Sequence, residues 1–216
     1  MNIYAVVGTG GFAREVMPIA ISMLGTQKQN YKLVFVAEDT TLNEINGIPV
    51  LSESDFFSIS GAEKYFSVAI GDSTLRKKIS DRYIEKNISP FSIYASNSVV
   101  LSSNHIGEGA IFCPFTTVTS NARIGKFFHS NLYSYVAHDC VIGDYVTFAP
   151  GVKCNGGVII EDNVYVGAGA VIKQGTVKRP IIIGKNSVVG MGAVVTKSVP
   201  PDTTVLGNPA KPLRAV

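Results

Sequence analysis

The chain has 216 residues and a formal net charge of only +3, room for one large domain or two small ones. Its lysines and arginines are scattered, with no basic stripe interleaved by aromatics, which argues against nucleic acid as a partner. No run of eighteen apolar residues offers a membrane span.

Residues 2–7, NIYAVV, follow no basic leader and read as a buried strand rather than a signal peptide. Gly8, Thr9, Gly10, Gly11 and Phe12 come next, then an apolar helical stretch through Leu24. Strand, glycine turn and helix open a βαβ unit. There the backbone can approach a phosphate and a helix N-terminus favours its charge. The same glycines also serve as plain strand–helix punctuation, and both readings stand. Pro18 predicts a kink or a later helix start.

A second strand, Lys32–Ala37, ends in Glu38 and Asp39, placed to accept hydrogen bonds from a ribose or a base edge. A turn with Gly47 and Pro49 leads to a short helix near Ser54–Phe57. A third strand, Tyr65–Ile70, runs into Gly71 and Asp72, and 73–86 reads as an amphipathic helix. Residues 1–87 are therefore expected to form an α/β domain of three or four parallel strands. It is too short for a full dinucleotide fold but sized for one nucleotide half. Residues 88–97 link it to the remainder, so the second domain is expected over 88–216.

That second domain is periodic. Ile106, Ile124, Ile142 and Ile160 are spaced by eighteen residues, and Ile183 arrives five late. Within the period, Val100, Ile106, Phe112, Val118, Ile124, Ser130, Val136, Ile142, Phe148, Cys154, Ile160, Val166 and Ile172 recur every sixth residue. A period of six fits neither a helix nor one half-buried strand. It fits a chain that makes a short strand, turns and repeats. Three such faces close a triangular coil, and coils stack at about 4.8 Å into a rod. A β-sandwich would not hold this register over five coils. The five-residue slip, around GTVKRPI, is expected to be a loop expelled at one corner. The prolines of GNPAKPLRAV predict an end to regular structure and a segment that folds back or packs on a neighbour. A lone coil would expose a large apolar flank, which predicts a homotrimer.

Cys113, Cys140 and Cys154 form no CxxC pair and read as small core residues of a reducing, cytoplasmic protein. His105, His129 and His138 fall at different places in the eighteen-residue period, so no metal site is expected. His138 and Asp139 lie between the inward positions Val136 and Cys140 and should face outward. An exposed imidazole beside a carboxylate can act as a general base, since its reference pKa is about 6.5. A plain surface histidine is the other reading.

The strings GTGGFARE, AIGDSTLRKK, AHDCVIGDY and GNPAK, set around the six-residue repeat, resemble the bacterial nucleotide-sugar acetyltransferases with hexapeptide repeats. That group takes in UDP-N-acetylbacillosamine and GDP-perosamine N-acetyltransferases and sialic acid O-acetyltransferases. The resemblance implies a small Rossmann-like α/β domain followed by a left-handed parallel β-helix, assembled as a trimer. It implies acetyl-CoA as co-substrate in the groove between adjacent β-helices, no metal, and a nucleotide-linked amino sugar in the α/β domain. His138 would be the base and Asp139 its partner. Gly10, Gly11, Phe12, Glu38, Asp39, Gly71 and Asp72 would hold the nucleotide sugar, and Thr147, Ala168 and Gly190 the acetyl-CoA. The implied reaction is N-acetylation of a 4-amino-4,6-dideoxy sugar, with UDP the expected carrier, for a surface glycan or glycoprotein. The rivals are O-acetylation of a sialic acid and a non-catalytic scaffold.

Overall fold

The computed structural model describes residues 1–26 and 30–213. They fall into two compact units, Met1–Ser96 and Asn97–Val216.

The first unit is a sheet flanked by helices. β1 (Asn2–Val7) is buried from Ile3 onward, the continuous apolar run expected of a central parallel strand. α1 (Gly11–Gly25), β2 (Tyr31–Ala37), β3 (Glu44–Ile45), β4 (Ile48–Ser52), α2 (Glu53–Ser58), β5 (Glu63–Val68), α3 (Ser73–Glu85) and β6 (Ser89–Pro90) follow. The sheet runs β3-β4-β2-β1-β5-β6. Every pairing is parallel except β3 with β4. Those two are joined at Asn46 and Gly47, both at positive φ as a tight hairpin requires.

Six strands replace the three or four expected. β3 and β6 are two residues long, and β4 and β6 carry Pro49 and Pro90, so no apolar alternation announces them. Because β6 belongs to this sheet, the first unit runs past residue 87, through Ser96. α1 neither starts late nor ends at Pro18. The proline sits on the exposed face, where water can serve the carbonyl of Arg14 that lost its donor.

The second unit is the coil. One face stacks Val99–Val100, Thr117–Val118, Tyr135–Val136, Lys153–Cys154, Val171–Ile172 and Val194–Val195 in parallel register. A second contains Ile111–Phe112, His129–Ser130, Thr147–Phe148, Tyr165–Val166 and Val188–Val189. The third runs from His105–Ile106 through Arg123–Ile124, Val141–Ile142 and Val158–Ile160 to Ile181–Ile183. From Phe112 to Val195 every inward register residue is at most 2% exposed, Ser130 included. Val100, expected inward, is 40% exposed at the open first coil.

Each corner needs one residue in the left-handed region. Asn121, Phe127, Tyr133, Asp139 and Tyr145 take it at six-residue intervals. Such a residue costs roughly 1–2 kcal/mol without glycine. Stacking between corners offsets part of it: the rings of Phe127 and Tyr145 lie 5.2 Å apart and nearly parallel.

The extra residues leave at a corner, as expected. Thr176 and Arg179 exchange two backbone bonds of 3.0 Å, while Gly175 still donates to Gly156 below. The coil's end folds back, as expected, but stays regular where the prolines predicted an end to regular structure. Thr204–Leu206 adds to the stack and pairs antiparallel with Lys211–Pro212. Pro212 is tolerated because it lies in the last strand of that sheet. Residues 214–216 lie outside the described residues.

Candidate active site

The coil's register places His138 one residue before a corner. Asp139 occupies the left-handed position, its N–H on the Ser120 carbonyl, while the His138 carbonyl accepts from Gly157. Backbone on both neighbouring coils therefore fixes this corner. His138 Nδ1 lies 2.8 Å from Asp139 Oδ2. A carboxylate only accepts, so Nδ1 carries the hydrogen and Nε2 keeps a bare lone pair. The side chains are 54% and 40% exposed, so that lone pair is open to a reactant.

The ring packs on Gly156, one coil on. A Cβ there would sit 2.5 Å from His138 Cε1 and 2.6 Å from Nε2. Glycine is needed to let the imidazole lie flat. The Gly156 N–H makes no backbone hydrogen bond among the described residues, although its carbonyl accepts from Gly175.

The first unit carries a cavity of about 490 Å³ at the C-terminal ends of β1, β2 and β5. Gly8, Thr9, Gly10, Gly11, Phe12, Glu38 and Gly71 line it. Gly8, at φ +119, fits where a Cβ would press on the Ala69 carbonyl at 3.1 Å. α1 begins beside it with Gly10 as its cap residue, no side-chain cap and no acidic residue in its first turn. The positive end of its dipole faces the cavity and favours an anion there. The buried Arg76 donates to the carbonyls of Ile70 and Gly71 and stiffens the opposite wall.

Asp39 and Asp72 are not among the lining residues. Asp72 instead caps α3, accepting from the Leu75 N–H at 2.7 Å. Two lining residues that the sequence reading passed over are Glu53 and Arg82. Arg82 Nη2 donates to Glu53 Oε1 at 2.8 Å, and Nη1 lies 3.5 Å from Glu38 Oε1. Glu53 is only 10% exposed, Glu38 77%. The signal was present: Leu75, Ile79 and Arg82 share one face of α3 at i, i+4 and i+7, and a charge on an apolar stripe marks a polar pocket.

Thr147, Ala168 and Gly190 do not join His138. Thr147 is buried at the end of one face, and Ala168 and Gly190 lie at the corner that follows it. His138 stands at the next corner, beyond the Tyr135–Val136 face. A Cβ on Gly190 would overlap Leu206. No group of three metal-ligating side chains occurs among the described residues. No described helix is long and apolar enough to cross a membrane.

Comparison with known proteins places both units. The family described as "PglD N-terminal domain" matches residues 4–83, and "Hexapeptide repeat of succinyl-transferase" matches 138–174 and 157–197. GDP-perosamine N-acetyltransferase of Escherichia coli O157:H7 is 50% identical over 215 residues, 99% of this chain and 97% of that one. The structure of WeeI from Acinetobacter baumannii AYE is 50% identical, with a TM-score of 0.95 over 99% of this chain and all of that one. PerB from Caulobacter crescentus, solved with CoA and GDP-perosamine, is 25% identical, with a TM-score of 0.84 over 99% and 98% of the two chains.

Proposed function

The chain belongs to the bacterial nucleotide-sugar acetyltransferases with hexapeptide repeats, its coil a left-handed parallel β-helix, and from this we propose that it acetylates the 4-amino group of a nucleotide-linked 4-amino-4,6-dideoxy sugar. It is an acetyltransferase that uses acetyl-CoA. The observation that carries the proposal is the His138–Asp139 pair with its open Nε2.

The amine nitrogen attacks the thioester carbonyl while His138 Nε2 takes the amine proton. Asp139 holds Nδ1–H and stabilises the imidazolium that forms. The oxyanion of the tetrahedral intermediate accepts from the Gly156 N–H. Its collapse breaks the C–S bond, and the imidazolium returns the proton to the departing thiolate. The products are the amide and free CoA, and no acyl-enzyme forms.

The nucleotide diphosphate sits at the start of α1 against Gly10, Gly11 and Phe12, with the base toward Glu38. GDP and UDP both offer a ring N–H beside a carbonyl, which a carboxylate can accept from. The name of the full-length relative at 50% identity favours GDP over UDP. Acetyl-CoA lies in a groove shared by two copies of a cytoplasmic homotrimer. One copy contributes its Thr147, Ala168 and Gly190 corner and the other its His138 corner.

The test is CoA release with acetyl-CoA and GDP- or UDP-linked 4-amino-4,6-dideoxy sugars, read as free thiol, with mass spectrometry of the amide. Sialic acid serves as the competing acceptor. Turnover with sialic acid alone, or with no amino sugar, overturns the proposal.

A further inference from the structure

We propose that the buried Cys140 thiol is a positioning residue that holds the Asn155 carbonyl inside the coil and thereby aims the Gly156 N–H outward at the reacting thioester. This rests on the acetyltransferase reading of the His138 corner.

Cys140 follows Asp139 directly and is fully buried. Its Sγ lies 3.2 Å from the Asn155 carbonyl oxygen, to which the thiol donates. The Asn155–Gly156 peptide is trans, so its C=O and N–H point in opposite directions. A carbonyl fixed toward the interior leaves the N–H facing out, on the side where the His138 ring packs. The oxyanion donor is set by what its own peptide bond does on the inner side.

Something has to set it. Gly156 and Gly157 are adjacent glycines, and Gly157 sits at φ +66. Glycine is required at 156 to admit the imidazole, and the same glycine frees the peptide to rotate. The side-chain bonds of Asn155 restrain other atoms. Its Nδ2 donates to the Ile172 carbonyl at 2.8 Å, and its Oδ1 accepts from the Tyr135 hydroxyl at 2.8 Å. Neither touches the carbonyl; the Cys154 thiol approaches it too, but at 3.9 Å against 3.2 Å for Cys140.

A second thiol supports the first. Cys154 Sγ is 3.9 Å from Cys140 Sγ. Cys154 thus lies within reach of both the Cys140 thiol and the Asn155 carbonyl that Cys140 holds. The contact couples the two thiols: it pulls Cys140 below its ordinary range and pushes Cys154 well above it.

Two substitutions separate aim from packing. Cys140→Val keeps an apolar side chain that other coils already carry at this register, in Val146, Val152, Val158 and Val164, and removes the donor. Cys140→Ser keeps a donor. In Cys140→Val, kcat is expected to fall about tenfold, a fraction of the loss from deleting an oxyanion donor outright. KM for acetyl-CoA and for the sugar should stay within about twofold, because neither is bound by this peptide in the ground state. Cys140→Ser is expected to restore kcat to within about threefold of the parent. The acid limb of the pH profile should stay put in both, since His138 and Asp139 are untouched. Parent kcat in Cys140→Val overturns the proposal. So does an equal loss in both variants that tracks a lowered melting temperature. Acetyl transfer that survives His138→Ala overturns the site reading itself, a result separable from either.

Discussion

The two units solve placement differently. In the coil, one residue in six must turn a corner and two in six must point inward, so each side chain's direction follows from its number. His138 owes its position to the coils above and below it. In the α/β unit, the cavity wall is assembled from the ends of three strands and residues of three helices. Glu53 and Arg82 meet across 29 residues of chain. A repeating scaffold fixes a reactive group in one place, whereas an aperiodic one builds a pocket that can be retuned a residue at a time. Chemistry should therefore be brittle at the coil and selectivity adjustable in the α/β unit.

The sharpest way to break that contrast is at His138. His138→Ala is expected to lower kcat about a thousandfold, within the usual range for loss of a general base, with KM for both substrates nearly unchanged. A loss of tenfold or less would mean that the rigid corner is not where the proton moves. Next comes Gly156→Ala. The added Cβ would stand 2.5 Å from the imidazole, and a corner pinned on two coils has little room to give. The ring must swing off its partner Asp139, and kcat is expected to fall about a hundredfold without unfolding the coil. The double variant should be no worse than His138→Ala alone, because both act through one ring. An additive loss would place Gly156's role elsewhere.

The same contrast explains what the sequence disclosed. Ile106, Ile124, Ile142 and Ile160 set the coil's period, and the period put His138 outside and Cys140 inside before any coordinates. The periodic signal ends where packing is not periodic. Val100 has no coil covering it, and the tail's Pro212 finds a strand partner that nothing local predicts. In the α/β unit, the glycine turn marked one end of the cavity. Asp72 was expected to hold the nucleotide sugar through the family resemblance, yet its position is also a helix cap, and its carboxylate accepts from the Leu75 N–H. Arg82 was hidden because its partner Glu53 is distant in sequence, and only tertiary contact makes the pair.

Arg82 tests the adjustable half. Arg82→Met keeps the stem and removes the charge that holds Glu38 and Glu53. KM for the nucleotide sugar is expected to rise about tenfold, equivalent to ~1.4 kcal/mol, with kcat and KM for acetyl-CoA unchanged. Steady-state kinetics with each substrate varied in turn checks it. A matching fall in kcat would mean that the cavity and the reacting corner are coupled more tightly than two separate solutions allow.

Asp72 offers the smallest effect and the cleanest separation. If its carboxylate only caps α3, Asp72→Ala costs about 1 kcal/mol of stability, the usual worth of such a cap, and leaves KM for the nucleotide sugar alone. If it touches substrate, KM rises and Asp72→Asn, which still caps, fails to restore it. Thermal melts and KM measured on the two variants therefore decide between cap and ligand. The structure favours the cap: one carboxylate oxygen is already engaged at 2.7 Å by the first turn of its own helix, and Asp72 does not line the cavity that its neighbour Gly71 does.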